Sequence, residues 1–302
     1  MIVVLAGPTG AGKSALSLSL ALRVGGEIVN ADSQQLYRRL DVGTAKPTLA
    51  ERAVVPHHLL DVAEPEQGMD AARFVALADG AIAEIQARGR LPLVVGGTGL
   101  YLRALLHGLV EAPGRDASLR ARLEAEAAAL GRPALHARLA GIDPEAASRI
   151  QPNDLTRIVR ALEIAAGGRT QSALHAAHAF RPERHRALFL VLDAPRAELR
   201  TRLDARVEAM FAGGLLEEAR WLLGRFGERL PPKLPIGYAE AVEVVRGSLT
   251  LEAAIGRVQA AHRQYARRQV IWLRREPAAE WLTLPVDLDA LARRVNDWRA
   301  SP

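Results

Sequence analysis

Eight residues near the start of the chain carry the clearest chemistry: Gly7, Pro8, Thr9, Gly10, Ala11, Gly12, Lys13 and Ser14. They match the spacing G-x-x-x-x-G-K-[ST], in which glycines let successive backbone N–H groups turn inward around phosphate oxygens. Lys13 adds a point charge, and the Ser14 hydroxyl is the expected protein ligand for a Mg²⁺ ion that also holds phosphate. Phosphate binding follows from this pattern, but the fate of the phosphate does not. A kinase would also need a clamp on the γ-phosphate and a residue that deprotonates the acceptor. Asp32 closes the stretch GEIVNAD. A carboxylate at the C-terminal end of a parallel strand faces the ligand crevice, where it can accept a proton or hold Mg²⁺ through water. Thr98 stands in a second glycine turn, Gly96–Gly99, and can serve a ligand or cap the following helix.

Such groups act together only if the intervening elements converge. The apolar run Met1–Ala6 lacks a basic flank and enters the glycine loop directly, so it reads as a buried strand and not a signal peptide. The following SALSLSLALRV alternates leucines with the period of a strand. A helix is nevertheless expected, because the loop works by presenting a helix N-terminus to the anion. Apolar runs at Leu91–Val95 and Ala187–Leu192 give two more strands. A helix begins at Pro195 and stops near Gly213, placing Arg202, Arg206 and Met210 on one face. Strand patterns are missing between Arg115 and Arg181, where helical segments are punctuated at Gly131-Arg132-Pro133 and Asp143-Pro144. The expected architecture is α/β: a P-loop NTPase-like core with a parallel β-sheet flanked by helices (1–114 and 182–302) and a helical insertion (115–181). The region beyond about residue 215 is expected to be helical.

At 302 residues and 49% hydrophobic, the chain can bury a large core, yet no apolar run approaches the roughly 20 residues that span a bilayer. It has no cysteine, which excludes disulfides, zinc–thiolate sites and thiol nucleophiles and fits a reducing cytoplasm. The net charge of +6 suits polyanionic partners, although an arginine-rich composition gives the same balance. The basic stretch Arg257–Arg275 reads equally as an RNA-facing surface or a solvated helix face. His57 and His58, without an evident carboxylate partner, read as structural.

Taken in order, GPTGAGKS, NADSQQLYRRLDVGTAKP, PHHLLDV, LVVGGTGLYLRALLHGL, NDLTRIVRALEI, RLDARVEAMFAGGLLEE, PIGYAE and RRQVIWLRR resemble the tRNA dimethylallyltransferase (tRNA isopentenyltransferase) family over nearly the whole chain. The resemblance implies transfer of a dimethylallyl group from dimethylallyl diphosphate to N6 of the adenosine directly 3′ of the anticodon. The loop then grips a diphosphate leaving group, with Mg²⁺ as cofactor. The resemblance makes Lys13 and Arg206 the clamp on that group, Asp32 the proton acceptor and Thr98 a neighbour of the bridging oxygen. It assigns tRNA contacts to Asp32, Ser33, Gln34, Gln35, Thr98 and Arg120. A second set comprises Thr156, Arg157, Ile158, Val159 and Arg160, and a third Lys233, Gly237, Tyr238, Arg267 and Arg268. The implied partner is a tRNA anticodon stem-loop, bound by a cytoplasmic monomer with no membrane attachment. Two other readings use the same loop: an adenylate isopentenyltransferase and a P-loop small-molecule kinase.

Overall fold

Five consecutive buried residues, Ile2–Ala6, form β1 at the centre of a six-stranded, all-parallel sheet. Both faces of a central parallel strand are covered, which is why the sequence here is uninterruptedly apolar. The computed structural model describes residues 1–110, 112–114, 116–178 and 184–301. The other strands are β2 (Gly26–Asn30), β3 (His57–His58), β4 (Leu91–Gly96), β5 (Ala187–Asp193) and β6 (Ala279–Thr283), in the spatial order β3-β2-β4-β1-β5-β6. From β1 the chain first moves to the β2 side and returns to the other side only at β5. This reversal opens a crevice at the carboxyl ends of the strands, where ligands of such sheets bind.

Four helices belong to the first part of the chain: α1 (Lys13–Val24), α2 (Leu49–Val54), α3 (Ala71–Ala87) and α4 (Gly99–His107). The strand-like leucine alternation after the loop lies in α1, whose first turn is fixed by the loop. Alternate residues Val3, Leu5, Leu93 and Leu190 pack with Leu20 and Val24 of α1 on one face of the sheet.

The helices α5 (Ala117–Leu130), α6 (Arg132–Ile142), α7 (Pro144–Arg149), α8 (Leu155–Ala166) and α9 (Gln171–His178) belong to a separate compact unit, His107–Glu183, while Met1–Leu106 and Arg184–Pro302 form the other. The expected boundary residues Arg115 and Arg181 lie outside the described residues. Within the helical unit, Leu123, Leu135, Leu139, Ile158, Val159 and Leu162 make a core of their own.

Five helices follow β5: α10 (Arg196–Ala212), α11 (Leu215–Phe226), α12 (Tyr238–Val245), α13 (Leu251–Leu273) and α14 (Leu288–Ala300). Residues of α10 to α13, including Met210, Leu215, Tyr238 and Val258, build a second core. Two expectations need correction. The region beyond residue 215 is not wholly helical, because Ala279–Thr283 pairs with β5 as an edge strand. The second strand ends at Asn30, two residues before Asp32.

Candidate active site

Gly12 caps α1 without a side chain, so the amides at the first turn of α1 have no intrahelical partner. Lys13 folds over the loop, its Nζ donating to the carbonyls of Gly7 and Pro8 at 2.9 Å each, which leaves its third proton for a ligand. The amide of Thr9 is already committed, donating at 2.8 Å to Oε1 of Gln269 on α13. Ala11 N donates to Pro8 O. The amides of Thr9 and Ala11 are therefore taken up within the protein and do not face an anion.

Gln269 is buried, and its Nε2 also donates at 2.9 Å to the carbonyl of Gly97. It thereby ties the phosphate loop to the second glycine turn. That turn is glycine by necessity: a Cβ on Gly97 would lie 2.2 Å from the Gln269 amide nitrogen. A glutamine within an arginine-rich helix reads as surface. The helical phase of Ala254, Val258, His262, Ala266, Gln269 and Leu273, which form the buried stripe of α13, would have exposed it.

A cavity of about 360 Å³ brings together Lys13, Ser14, Asp32, Gln35 and Arg206, with Pro47, His57 and Leu60 also on its wall. Gln34 N donates to Oδ1 of Asp32 at 2.9 Å, and Asp32 N is held by Asn30 Oδ1 at 3.1 Å. One carboxylate oxygen is thus fixed by the backbone while the other is available for chemistry. Arg206 projects from α10 and donates to Thr9 Oγ1 at 3.2 Å. Its helical neighbour Arg202 shares the cavity wall, whereas Met210 turns into the second core. Burial lowers the Arg206 pKa, and the charge of Asp32 opposes that shift.

Burial lowers the Lys13 pKa to about 8; the charge of Asp32 opposes the shift and that of Arg206 adds to it. Below pH 8 the free protein already carries the Lys13 charge, and above it an anion must bring a proton in with it. Affinity for a diphosphate monoester is therefore expected to fall above pH 8, by up to about tenfold per pH unit. Calorimetric titration at pH 7, 8 and 9 reads this; flat affinity to pH 9 would remove Lys13 protonation from binding.

Thr98 is not on the cavity wall. Its Oγ1 accepts from Ser33 N at 2.9 Å and donates to Ser33 Oγ at 3.2 Å, joining the turn after β4 to the turn after β2. The phenol of Tyr265 on α13 interacts with the same two hydroxyls, and burial together with the Asp32 charge pushes it up to about 12. Nearby His262 is also buried. Its desolvation, with the Arg206 charge, pushes it down to about 4, so the imidazole is neutral.

The residues matched to RNA contacts divide by exposure. Thr156, Arg157, Lys233, Arg267 and Arg268 are exposed, and Ser33, Gln34, Gln35 and Arg160 are half-buried. Ile158 and Val159 lie in the helical unit's core, and Tyr238 is fully buried. Direct side-chain contact with RNA from these three is corrected by their burial. Arg120 is engaged in a two-pronged ion pair with the buried Glu163, at 2.7 and 3.2 Å. Arg160 donates to Pro113 O at 2.9 Å. His58 does have a carboxylate partner, Glu27 at 2.8 Å, but Arg88 shares it. Among the described residues no group of three or more His, Cys, Asp or Glu side chains is arranged to hold a metal.

The sequence profile of the family described as "IPP transferase" matches residues 35–276. A protein named tRNA dimethylallyltransferase from Anaeromyxobacter sp. (strain Fw109-5) is 72% identical, over 98% of this chain and 99% of that protein. One of the same name from Myxococcus xanthus (strain DK1622) is 50% identical, over 95% and 94%. The crystal structure of the full-length tRNA isopentenylpyrophosphate transferase from Bacillus halodurans superposes with a TM-score of 0.71 at 37% identity, covering 99% of this chain and 95% of that one. A eukaryotic dimethylallyltransferase captured in crystallographic snapshots acting on tRNA gives a TM-score of 0.79 at 29% identity, covering 99% and 79%.

Proposed function

This chain belongs to the IPP transferase family and transfers a dimethylallyl group to tRNA, and from that premise we propose that dimethylallyl diphosphate is the donor and N6 of the adenosine directly 3′ of the anticodon is the acceptor. One observation carries the reading: Lys13 and Arg206 share a cavity with the carboxylate of Asp32, which keeps one oxygen free, while the other acid on the wall, Glu51, is taken up by the amide and hydroxyl of Thr48. The two cations suit a departing diphosphate; the carboxylate suits an amine that must lose a proton.

In the proposed reaction the bond from the allylic carbon to the diphosphate oxygen breaks as the N6–carbon bond forms. Electrons of the broken bond leave with the diphosphate, and the amine proton passes to Asp32. Negative charge grows on the diphosphate oxygens, where first-turn amides of α1, Lys13 and Arg206 are already oriented. The donor set also fits Mg²⁺: an exposed Ser14 hydroxyl and the Asp32 carboxylate line one cavity, and Mg²⁺ usually takes few protein oxygens beside phosphate and water. Bound there, the ion would neutralise charge on the leaving group.

A stacked adenine cannot reach a recessed carboxylate, so the base must be extruded, at a cost of a few kcal/mol. We place the RNA grip on the exposed Thr156 and Arg157 of the helical unit and on the basic face of α13. Arg257 and Arg263 on that helix are paired with Glu243 and Asp204, but Arg267 and Arg268 are exposed. Changing both Arg267 and Arg268 to glutamine is expected to flatten the log–log salt dependence of tRNA binding by roughly one to two units, with donor affinity unchanged. An unaltered slope would make them solvated surface and move the grip to the helical unit.

Free adenylate and small phosphoryl acceptors are not favoured by the family. Labelled donor offered in parallel to undermodified tRNA, AMP, and ATP with small acceptors tests the reading. Label should enter tRNA; label in AMP instead would overturn the RNA acceptor.

A further inference from the structure

The stretch Asp41–Pro47, DVGTAKP, takes no part in the chemistry above, and Tyr238 is too buried to meet RNA. Both converge on one carboxylate. Glu218 Oε1 accepts from the amides of Asp41 at 2.7 Å and Val42 at 2.8 Å, and its Oε2 accepts from the amide of Gly43 at 3.1 Å and the Tyr238 hydroxyl at 2.6 Å. Three consecutive N–H groups turned toward one anion form a nest of the kind that elsewhere holds phosphate. Here it holds a side chain from α11.

We propose that Glu218 is a positioning residue: seated in this nest and bonded to Tyr238, it holds the RNA-facing residues Gln34 and Gln35 in their receptive conformation. The proposal rests on the reading that this segment meets tRNA.

Two branches carry the effect. Gln35 Nε2 donates to the carbonyls of Thr44 at 3.2 Å and Ala45 at 3.0 Å, directly beyond the nest. On the other branch, the amide of Ile236, two residues before Tyr238, donates to Gln34 Oε1 at 3.0 Å. Glu218 therefore pins both supports at once. The loop also lies against the Tyr238 ring: a Cβ on Gly43 would approach the ring and Leu215 Cδ1 to 2.7 Å. Burial and the Glu218 charge raise the Tyr238 pKa well above its ordinary value, so its hydroxyl stays a donor at any working pH.

The far end of the loop has its own anchor. Lys46 Nζ is buried against Asp41 at 2.7 Å, Asp61 at 2.6 Å and the carbonyl of Tyr37. Asp32 is held by main-chain bonds, its amide by Asn30 Oδ1 and its carboxylate by the Gln34 amide, neither of which involves the Gln34 or Gln35 side chain. Loss of Glu218 should accordingly loosen residues 41–43 and free the side chains of Gln34 and Gln35, without displacing the Gln34 main-chain amide that holds the proposed base. The expected signature is a raised KM for tRNA with kcat largely kept.

The test uses full-length protein and the variants Glu218→Ala, Glu218→Gln and Tyr238→Phe. In Glu218→Ala, hydrogen exchange at the amides of residues 41–43, measured without RNA, should accelerate about tenfold or more, because the variant removes the half-buried, charged acceptor that all three share. The KM for undermodified tRNA should rise by a similar factor, with kcat within about threefold and affinity for dimethylallyl diphosphate within about twofold. Glu218→Gln keeps one carbonyl oxygen and should fall between alanine and the native residue. Tyr238→Phe, losing one of four donors, should change KM least. Unchanged exchange in Glu218→Ala would overturn the proposal. So would a tRNA KM that stays native while the loop loosens, or equal losses in donor and tRNA binding, which mark a general structural role. A native protein that prenylates no tRNA would instead count against the function above, because the exchange measurement does not depend on activity.

Discussion

Replacing Asp32 by asparagine is expected to slow prenyl transfer by about 10² to 10⁴-fold, roughly 3–5 kcal/mol in activation free energy, while donor and tRNA affinities stay within a few-fold of native. The exocyclic amine of adenine is a weak nucleophile, and the new N–C bond leaves a proton that must go somewhere. Asp32 lines the donor cavity, with Oδ1 fixed by the Gln34 amide. Asparagine keeps that hydrogen bond through its own carbonyl oxygen but presents an NH₂ where the free carboxylate oxygen stood. Geometry is preserved and basicity is lost, so the effect should fall on the chemical step. The measurement is single-turnover transfer at saturating donor and tRNA. Near-native turnover would remove Asp32 from proton transfer, and a defect confined to the tRNA KM would make it an RNA contact only.

Arg206→Ala is expected to reduce turnover by about 10² to 10³-fold, the usual cost of removing one preorganised group facing developing negative charge. Its guanidinium is half-buried, its one hydrogen-bonded partner among the described residues is the Thr9 hydroxyl, and desolvation is the chief cause that lowers its pKa. A desolvated cation that forms no ion pair is unfavourable to the folded protein, and the nearby charge of Asp32 offsets this only in part. Removing it should therefore leave thermal stability unchanged or raised even as catalysis falls, the pattern of a strained functional site. Melting temperature and kcat measured on one preparation separate the readings. A fall in both would make Arg206 a structural residue; a rise in tRNA KM alone would assign it to RNA.

Some of this architecture was legible because a single requirement dominated each segment. β1 and β4 are buried on both faces and must be apolar throughout, and the phosphate loop must be glycine-rich and followed by a helix, despite the strand-like leucines of α1. The parts that were not legible serve two partners at once. Gln269 carries a polar side chain at a buried position because it satisfies an amide of one loop and a carbonyl of another. Glu218 is one acid among many in the helical C-terminal region until the nest it fills is known. β6, AEWLT, is an edge strand with partly exposed residues and lacks the apolar run that marks the centre of the sheet. Tyr238, which the resemblance matches to a tRNA contact, has its ring spent on packing and its hydroxyl on Glu218.

The most direct measurement is positional. Undermodified tRNA is incubated with the protein and labelled dimethylallyl diphosphate, digested to nucleosides and to oligonucleotides, and compared with the same tRNA in which the adenosine 3′ of the anticodon is replaced by guanosine. The account predicts one labelled nucleoside, N6-dimethylallyladenosine, mapping to that position, with one diphosphate released per transfer and none of the label in the substituted tRNA. Label that persists after the substitution, or that maps to another nucleoside, would contradict it.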